Sequence, residues 1–300
     1  MSATAKDSPL FDAARQGEQV ATGSRPPRRR ILPKRWGAHL FLIVACLVMG
    51  FPLFYAMLVS TQSNAQVASF DLMPGTNFWN NFQVAMFDRS LMTYIINTVG
   101  MAVTITIAKT ILSLLSGMAF VYFRFPGKWI VFAFVLATLM MPTDILIIAL
   151  FRFVSIQLNW GGTFQALVVP FIASATGTFL FRQHFANLPI ELSEAAQLDG
   201  ATPIQFLIRV LIPMSWNVIG ALAVIQFVYG WNMYLWPLLI TQGQANQVVQ
   251  VGLRSLLSTD TSITYGPLML GAVVASIPPV IVFILLQKQF MSGFQLSTDK

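Results

Sequence analysis

"ELSEAAQLDGATPIQFLIRVLIP", residues 191–213, is a polar, turn-rich stretch that contains two prolines. It lies between two predominantly apolar segments, residues 163–181 and 215–241. A helix needs roughly 20 apolar residues to cross the hydrocarbon layer of a bilayer, so both neighbours are predicted to span a membrane. The quoted stretch is then a polar connection between two crossings, and its length raises the question of what function it has.

The composition of the whole chain supports a membrane protein. Only 10% of the 300 residues are charged and 56% are hydrophobic, whereas about a quarter of a soluble domain is charged. The sequence predicts an all-α membrane protein with six transmembrane helices, at residues 39–60, 94–123, 129–151, 163–181, 215–241 and 265–287. Two of these segments exceed the length that a crossing requires, which predicts tilt or extension into water.

Lysine and arginine indicate the orientation, because cytoplasmic loops of membrane proteins carry an excess of both. They cluster in the N-terminal tail, between the second and third segments, around residues 184–213, and after the last segment. We expect both termini and the 184–213 loop on the cytoplasmic side, and the net charge of +7 reflects this asymmetry rather than nucleic-acid binding. The predicted organisation is a disordered basic tail at 1–36, a six-helix domain at 37–291, and a cytoplasmic tail at 292–300.

The inventory of reactive groups is too small for an enzyme. Cys46 is the single cysteine, and His39 and His184 are far apart in the chain without ligand spacing. No G-x-x-x-x-G-K-[ST] loop and no G-x-S-x-G motif is present. We therefore predict no catalytic residue, no metal site and no cofactor in this chain, and any energy must come from another protein.

The 191–213 stretch is predicted to form two short helices joined by a turn. Glu191 and Glu194 complement the positive end of a first helix, and Asp199-Gly200 ends it with a left-handed glycine. A second helix begins at the Thr202-Pro203 cap and ends at Pro213.

One face of the second helix is predicted to be apolar, because its aliphatic residues follow helical spacing: Ile204, Leu207, Ile208 and Leu211. The first helix then presents an acidic side with the small residues Ala195 and Ala196 beside it. Two interpretations remain at this point: a solvated loop with ordinary capping, or a rigid knob that fits a groove in another protein.

The motif Glu194-Ala195-Ala196, followed by Gly200 and by Val210-Leu211-Ile212-Pro213, resembles the EAA signature of permease subunits of bacterial ABC importers. Val210 and Ile212 depart mildly from the usual isoleucine and leucine. The resemblance implies a coupling helix seated in a cleft of an ATPase subunit. The residues that it assigns to this coupling are Glu191, Glu194, Ala195, Ala196, Asp199, Gly200 and Pro213.

The resemblance extends from about residue 38 to the C-terminus. "TFLFRQHFANLP" and "FVYGWNMYLWPLL" resemble the carbohydrate-uptake branch of these permeases. With "SLLSGMAFVYFRFP" and "SIPPVIVFILLQ", they are most similar to the branch that imports sn-glycerol-3-phosphate. The implied solute is therefore sn-glycerol-3-phosphate or a related glycerophospho compound. Another sugar or a sulfonated glycosyl-glycerol is the alternative.

The family resemblance also implies the partners of the chain. They are a second, homologous permease, a dimer of ATPase subunits that binds ATP and Mg, an external solute-binding protein, and the lipid of the bacterial inner membrane. The alternatives are a membrane enzyme, for which the reactive groups are lacking, a scaffold, which would need neither intramembrane charges nor a Trp-Asn cluster, and a stand-alone channel or secondary transporter, which would leave the EAA motif without a role.

Two ionisable residues fall inside predicted membrane segments, Lys109 in the second and Asp144 in the third. They are nearly equidistant from the turn at Pro126, so antiparallel helices would bring them to similar depth. A lone charge at the bilayer centre costs roughly 2.5–3.5 kcal/mol on insertion scales, and pairing would offset much of that. Either the two form a static pair, or Lys109 lines the route of an anionic solute.

The aromatic and polar residues Trp231, Asn232 and Tyr234 lie toward the outer end of the fifth segment. Hydroxyl-binding amides beside aromatic faces are suited to a sugar, so these three residues are candidates for the substrate path. Interfacial anchoring by Trp and Tyr, and helix association through Asn, are the structural alternatives.

Overall fold

The computed structural model describes residues 36–241, 243, 245–257 and 264–294, with the side chains of 143, 144, 293 and 294 left out. Its regular elements in these ranges are all helical, which confirms the predicted all-α class. The chain divides into two compact units, residues 1–51 and 52–300. Of the predicted tails at 1–36 and 292–300, residues 1–35 and 295–300 lie outside the described residues.

The first helix, α1, runs from Trp36 to Val59 and has exposed apolar side chains along most of its length. A connector with two short helices follows it, α2 at Asn64–Ala68 and α3 at Phe78–Gln83, which continues as a π-helical turn at Val84–Asp88. The buried amide of Asn81 donates to the backbone oxygens of Ser60 and Gln62, both at 2.9 Å. The connector is thus held by side chains that satisfy buried backbone groups.

The longest helix, α4, comprises the 32 residues Leu91–Tyr122 and lies at the centre of the second unit. It begins after Ser90, whose backbone is left-handed (φ 57°), and ends where Phe123 becomes extended. Small residues let its neighbours approach: an added Cβ at Gly117 would lie 2.6 Å from Phe181 Cβ. The close contacts place α4 against the helices that precede and follow the 191–213 stretch.

The third predicted membrane segment is not one continuous helix. It consists of α5 at Lys128–Thr138 and α6 at Thr143–Phe151, the latter extended by a π-helical stretch at Arg152–Gln157. Pro142 lies in the break with an extended backbone (ψ 109°). Because proline lacks an N–H and restricts the residue before it, it interrupts the helical hydrogen-bond pattern here.

The fourth predicted segment is bent by 43° between Phe164–Phe171 and Ala175–Ala186. Its first part is α7 at Phe164–Val168, which ends in a 3₁₀ turn containing Pro170, and its second part is α8 at Ala175–Ala186. Ser174 caps α8 by accepting a hydrogen bond from the N–H of Gly177. The proline and the new cap together explain the bend.

The elements that follow are α9 at Glu191–Leu198, α10 at Pro203–Phe206, a π-helical turn at Leu207–Leu211, α11 at Ile212–Met214, α12 at Trp216–Trp231, α13 at Leu235–Ile240, α14 at Val249–Ser255 and α15 at Tyr265–Phe294. Gly230 of α12 allows a close contact between α12 and α4, because an added Cβ at this position would lie only 3.2 Å from the Cα of Ala102 in α4.

Three described helices are long and apolar enough to cross a membrane, and up to five crossings result if each bent pair is one span. Those three are Trp36–Val59, Leu91–Tyr122 and Tyr265–Ser292. Exposed apolar side chains cover many of the described helices. Such a surface suits a lipid environment, and the fold is that of a multi-pass membrane protein.

Candidate functional site

The elbow, which we define as residues 191–213, has the predicted helix–turn–helix geometry. Glu191 and Glu194 occupy the first turn of α9, and Gly200 follows that helix with a left-handed backbone (φ 69°). The N–H of Ala201 donates to the oxygen of Ala196 at 2.9 Å, which closes the helix end. Glycine adopts this conformation without the steric cost that a Cβ would bring.

The second half of the elbow begins with the cap predicted from the sequence. The side chain of Thr202 accepts from the N–H of Gln205, while the Gln205 side chain accepts from the N–H of Thr202. Pro203 occupies the first turn, where its missing N–H leaves no bond unmade.

The buried face of the second half differs from the predicted stripe. Leu207 and Leu211 are buried as expected, but Ile204 is 53% exposed and Ile208 is 57% exposed, while Phe206 is buried instead. The π-helical turn at Leu207–Leu211 departs from the α-helical spacing on which the stripe was predicted, and before it Phe206 is buried with its ring centroid 5.1 Å from that of Tyr122.

The prediction that Pro213 ends this helix is also wrong in detail. The helix continues to Met214, and the chain then turns at Ser215, whose hydroxyl donates to the oxygen of Leu211 at 2.6 Å. The two helices meet there at 82°. Pro213 thus lies in the last turn of the helical run Pro203–Met214, just before the bend.

The exposed surface of α9 combines negative charge with apolar area. Glu191, Glu194 and Asp199 are exposed, and Leu198 is 88% exposed beside the small residue Ala195. The opposite side is anchored, because Ser193 is buried and Ala196 packs against the apolar cluster around Phe206, Leu207 and Leu211. α9 therefore presents a firmly supported acidic face with an apolar residue at its end.

Lys109 lies in a second polar site, which we call the lysine cluster: Lys109, Ser174, Gln226 and Tyr229. The Lys109 ammonium donates to Gln226 Oε1 at 3.1 Å and lies 4.2 Å from the ring centroid of Tyr229. Gln226 Nε2 in turn donates to Ser174 Oγ at 3.1 Å. The cluster thus joins α4, α12 and the cap of α8.

The predicted pairing of Lys109 with Asp144 stays a prediction, because the side chain of Asp144 lies outside the described residues. The sequence pattern indicated Lys109 but not Gln226, Tyr229 or Ser174. Gln226 could have indicated this cluster, since an amide side chain inside an apolar membrane helix costs free energy unless another helix supplies a hydrogen-bond partner.

The three residues of the candidate substrate path separate into two environments. Trp231 is 2% exposed, and its indole N–H donates to the oxygen of Ala275 at 3.1 Å. It is a core residue that no solute reaches in this conformation. Asn232 is exposed, whereas Tyr234 is half-buried against an apolar cluster.

Asn232 and Tyr234 each contact α14. Asn232 Oδ1 accepts from Gln250 Nε2 at 3.3 Å, and the Tyr234 hydroxyl accepts from Arg254 Nη1 at 2.7 Å. Gln250 and Arg254 are four residues apart and therefore lie on one face of α14. The two donors and their acceptors form a polar patch with a cation at one end.

Comparison with known proteins assigns the chain to a family. Residues 109–294 match the family described as "Binding-protein-dependent transport system inner membrane component". A similar protein is the sn-glycerol-3-phosphate transport system permease protein UgpE of Rhizobium meliloti (strain 1021), 38% identical over a 272-residue alignment that covers 87% of this chain and 96% of that protein. The protein of the same name from Agrobacterium fabrum (strain C58 / ATCC 33970) is 37% identical over a 273-residue alignment that covers 88% of this chain and 96% of that protein.

A solved structure shares the fold. It is described as the crystal structure of a bacterial ABC transporter involved in the import of the acidic polysaccharide alginate. The similarity has a TM-score of 0.73 at 21% identity and covers 84% of this chain and 95% of that chain.

Proposed function

The chain belongs to the family of binding-protein-dependent transport system inner membrane components and is a permease subunit of an ABC importer; from that premise we propose that it imports sn-glycerol-3-phosphate or a related glycerophospho compound. Relatives at 37–38% identity over most of the chain carry the name of that solute. The observation in this chain that carries the proposal is Lys109, a cation that is only 7% exposed within the helix bundle.

The lysine cluster has the chemistry that a phosphorylated polyol requires. The Lys109 ammonium has three N–H donors, of which one goes to Gln226 and others would serve phosphate oxygens, and the Gln226 amide keeps a second N–H and a second lone pair for hydroxyls. The face of Tyr229 holds the ammonium in place without neutralising it. In the conformation described, Lys109 and Gln226 are buried whereas Tyr229 is 42% exposed, so solute would reach the ammonium only after the permease rearranges.

The elbow is proposed to transmit the motion that opens the permease. An acidic α9 with an exposed Leu198 suits a cleft that offers a basic residue and an apolar pocket on an ATPase subunit. Glu191, Glu194, Ala195, Ala196, Asp199 and Gly200 would form this contact, with Pro213 at the bend that follows. ATP and Mg would be bound and hydrolysed by that partner rather than by this chain.

The assembly is proposed to contain a second, homologous permease, an ATPase dimer and a solute-binding protein. Six membrane crossings, with both termini and the elbow in the cytoplasm, agree with the distribution of Lys and Arg. α5 and α6 would together form the crossing that the structure divides at Pro142.

Solute binding by the cognate binding protein, followed by uptake into proteoliposomes that contain the whole importer, tests the solute. We expect glycerol-3-phosphate or glycerophosphodiesters to bind and enter in preference to neutral and sulfonated glycosides. A preference for neutral sugars would contradict the proposed solute and leave the permease function unaffected. A preference for sulfonated glycosides would retain the role of Lys109 with a different anion.

A further inference from the structure

Three cations converge at the turn between α4 and α5. Arg124 is exposed in this turn, Lys128 begins α5, and Arg182 approaches from α8. Burial lowers the pKa of the Lys128 ammonium, and the neighbouring guanidinium groups of Arg182 and Arg124 lower it further. No carboxylate within the described part of the chain forms an ion pair with any of them. Cations this close together, without an acidic partner among the described residues, favour the binding of an external anion.

The positions of Lys128 and Arg182 are set by the fold. Lys128 Nζ donates to the backbone oxygens of Val121 at 3.3 Å and Phe123 at 3.0 Å, carbonyls that the end of α4 leaves without helical partners. The Arg182 guanidinium lies 4.5 Å from the ring centroid of Phe132 and 5.1 Å from that of Trp129. Both charges are therefore held in place rather than free to disperse in solvent.

An open recess of about 440 Å³ lies beside these cations, lined by Arg124, Phe125, Gly127, Lys128, Trp129 and Ile130. Trp129 is 67% exposed and Ile130 is 77% exposed. The recess thus combines two basic side chains with large exposed apolar ones at the end of an apolar helix. A soluble anion would use only the basic part, whereas a lipid would use both.

We propose that this recess binds an anionic phospholipid, with its phosphate at Arg124 and Lys128 and its acyl chains along Trp129 and Ile130. Basic pockets between transmembrane helices on the cytoplasmic side bind the headgroups of anionic lipids, and an interfacial tryptophan lies at headgroup depth. The assignment to the cytoplasmic leaflet rests on the orientation given under Proposed function. The lipid-binding chemistry itself comes from the residues of the recess.

Quenching of Trp129 by brominated lipids tests the proposal on the complete importer in detergent. The Trp129 signal is the fluorescence of the unmodified importer minus that of a Trp129→Phe importer. Brominated phosphatidylglycerol is compared with brominated phosphatidylcholine. We expect selective quenching by phosphatidylglycerol, with an apparent affinity that falls about fivefold in Arg124→Gln, the factor that one basic residue near an anionic surface contributes.

Arg209→Gln is the matched control, since it removes one exposed cation from the elbow rather than from the recess. Its affinity for phosphatidylglycerol should equal that of the unmodified importer. Equal quenching by the two lipids, or equal effects of the two substitutions, would overturn the proposal. Displacement of the lipid by inorganic phosphate alone would show a phosphate site and would also overturn it.

A further comparison separates a lipid from a protein occupant. If quenching by phosphatidylglycerol disappears only when the ATPase subunits are present, the recess is a protein contact and the proposal fails. The binding measurement requires neither ATP nor solute. Its failure therefore leaves the transport function standing, and a failure of uptake leaves the lipid site standing.

Discussion

Lys109 shows how a single buried charge can be tested for a role in transport. A cation in the interior of a membrane bundle is costly unless other groups compensate it, and the described compensation comes from a neutral amide and an aromatic ring. Neither group cancels the charge. An anionic solute would find in the cluster a cation that is already oriented.

We predict that Lys109→Gln lowers uptake of glycerol-3-phosphate by roughly tenfold or more, because hydrogen bonds to charged groups contribute about 1.5–3 kcal/mol. The glutamine can still contact Gln226, so assembly of the importer should persist. Lys109→Arg keeps the charge and should retain more uptake. The measurement is initial uptake into proteoliposomes, normalised to the amount of assembled complex. Full uptake by Lys109→Gln would exclude Lys109 from the solute route.

The alternative role of Lys109, a static pair with Asp144, makes a different prediction. Each single substitution that removes a charge would then impair assembly, and the exchange Lys109→Asp with Asp144→Lys would restore both assembly and uptake. Restored assembly without uptake would favour the solute route. Size-exclusion chromatography of the complex and the uptake assay together distinguish the two roles.

The close approach of the helices α4 and α8 depends on Gly177, which has no side chain. An added Cβ at Gly177 would collide with Ser113 Oγ and lie 2.8 Å from Ser113 Cβ. We predict that Gly177→Ala destabilises the permease by about 1–3 kcal/mol, the usual cost of overpacking. The thermal midpoint of the solubilised complex measures the effect.

Gly100→Ala is the control for that experiment, because Gly100 also lies in a helix but has no atom within 4 Å of an added Cβ. It should leave stability unchanged or raise it slightly. Ser113→Gly in the Gly177→Ala background removes both colliding atoms and should restore part of the loss. Equal destabilisation by Gly177→Ala and Gly100→Ala would show that helix contact is not the cause.

The elbow yields a prediction about α9. Glu194→Arg reverses the charge of an exposed side chain without disturbing the buried face, so we expect a folded permease in which solute-stimulated ATP hydrolysis falls about tenfold or more. Asp88→Arg makes the same charge change at an exposed position outside the elbow and should have no effect. ATP hydrolysis and uptake are measured on the same preparation.

Gly200 strengthens that test. Any side chain at its φ of 69° is strained, by roughly 1–2 kcal/mol. The double variant Glu194→Arg with Gly200→Arg should therefore abolish coupling. Undiminished import by this variant would exclude the elbow as the coupling element.

The elbow also shows which features of the elements were predictable. Its caps at Gly200 and Thr202 follow from local chemistry, which acts within a few residues, and both were predicted. The π-helical turn at Leu207–Leu211 and the exposure of Ile204 were not, because they depend on packing against distant residues such as Tyr122, whose ring lies 5.1 Å from that of Phe206. The break at Pro142 was visible as a proline but not as an interruption, since bundles often tolerate prolines in continuous helices.

Across the molecule, the elbow and the lysine cluster are connected through the same helices. α8 precedes the elbow and α12 follows it, and a hydrogen bond from Gln226, in the second half of α12, to Ser174, the N-cap of α8, joins the two helices again away from the elbow. A movement of the elbow would therefore act on both helices that hold the cluster. This arrangement would give a physical route from the proposed ATPase contact to the proposed solute site, and it depends on the elbow facing the cytoplasm.

The sidedness of the loops tests that orientation. In a Cys46→Ala background, we introduce cysteines singly by Leu72→Cys, Asn159→Cys, Gln197→Cys and Ser297→Cys, and label them with an impermeant maleimide in intact cells and after permeabilisation. Six crossings predict labelling from outside for the first two variants and only after permeabilisation for the last two. Leu72 is 73% exposed in the connector after α1, and Gln197 is exposed on α9.

Asn159→Cys is the decisive variant, because Asn159 follows α6 and its labelling reports whether α5 and α6 cross the membrane together. If they did not cross, Asn159 would lie on the same side as the turn at Arg124, and the elbow would lie outside. An external elbow could not reach a cytoplasmic ATPase, so labelling of Gln197→Cys in intact cells would exclude coupling through the elbow.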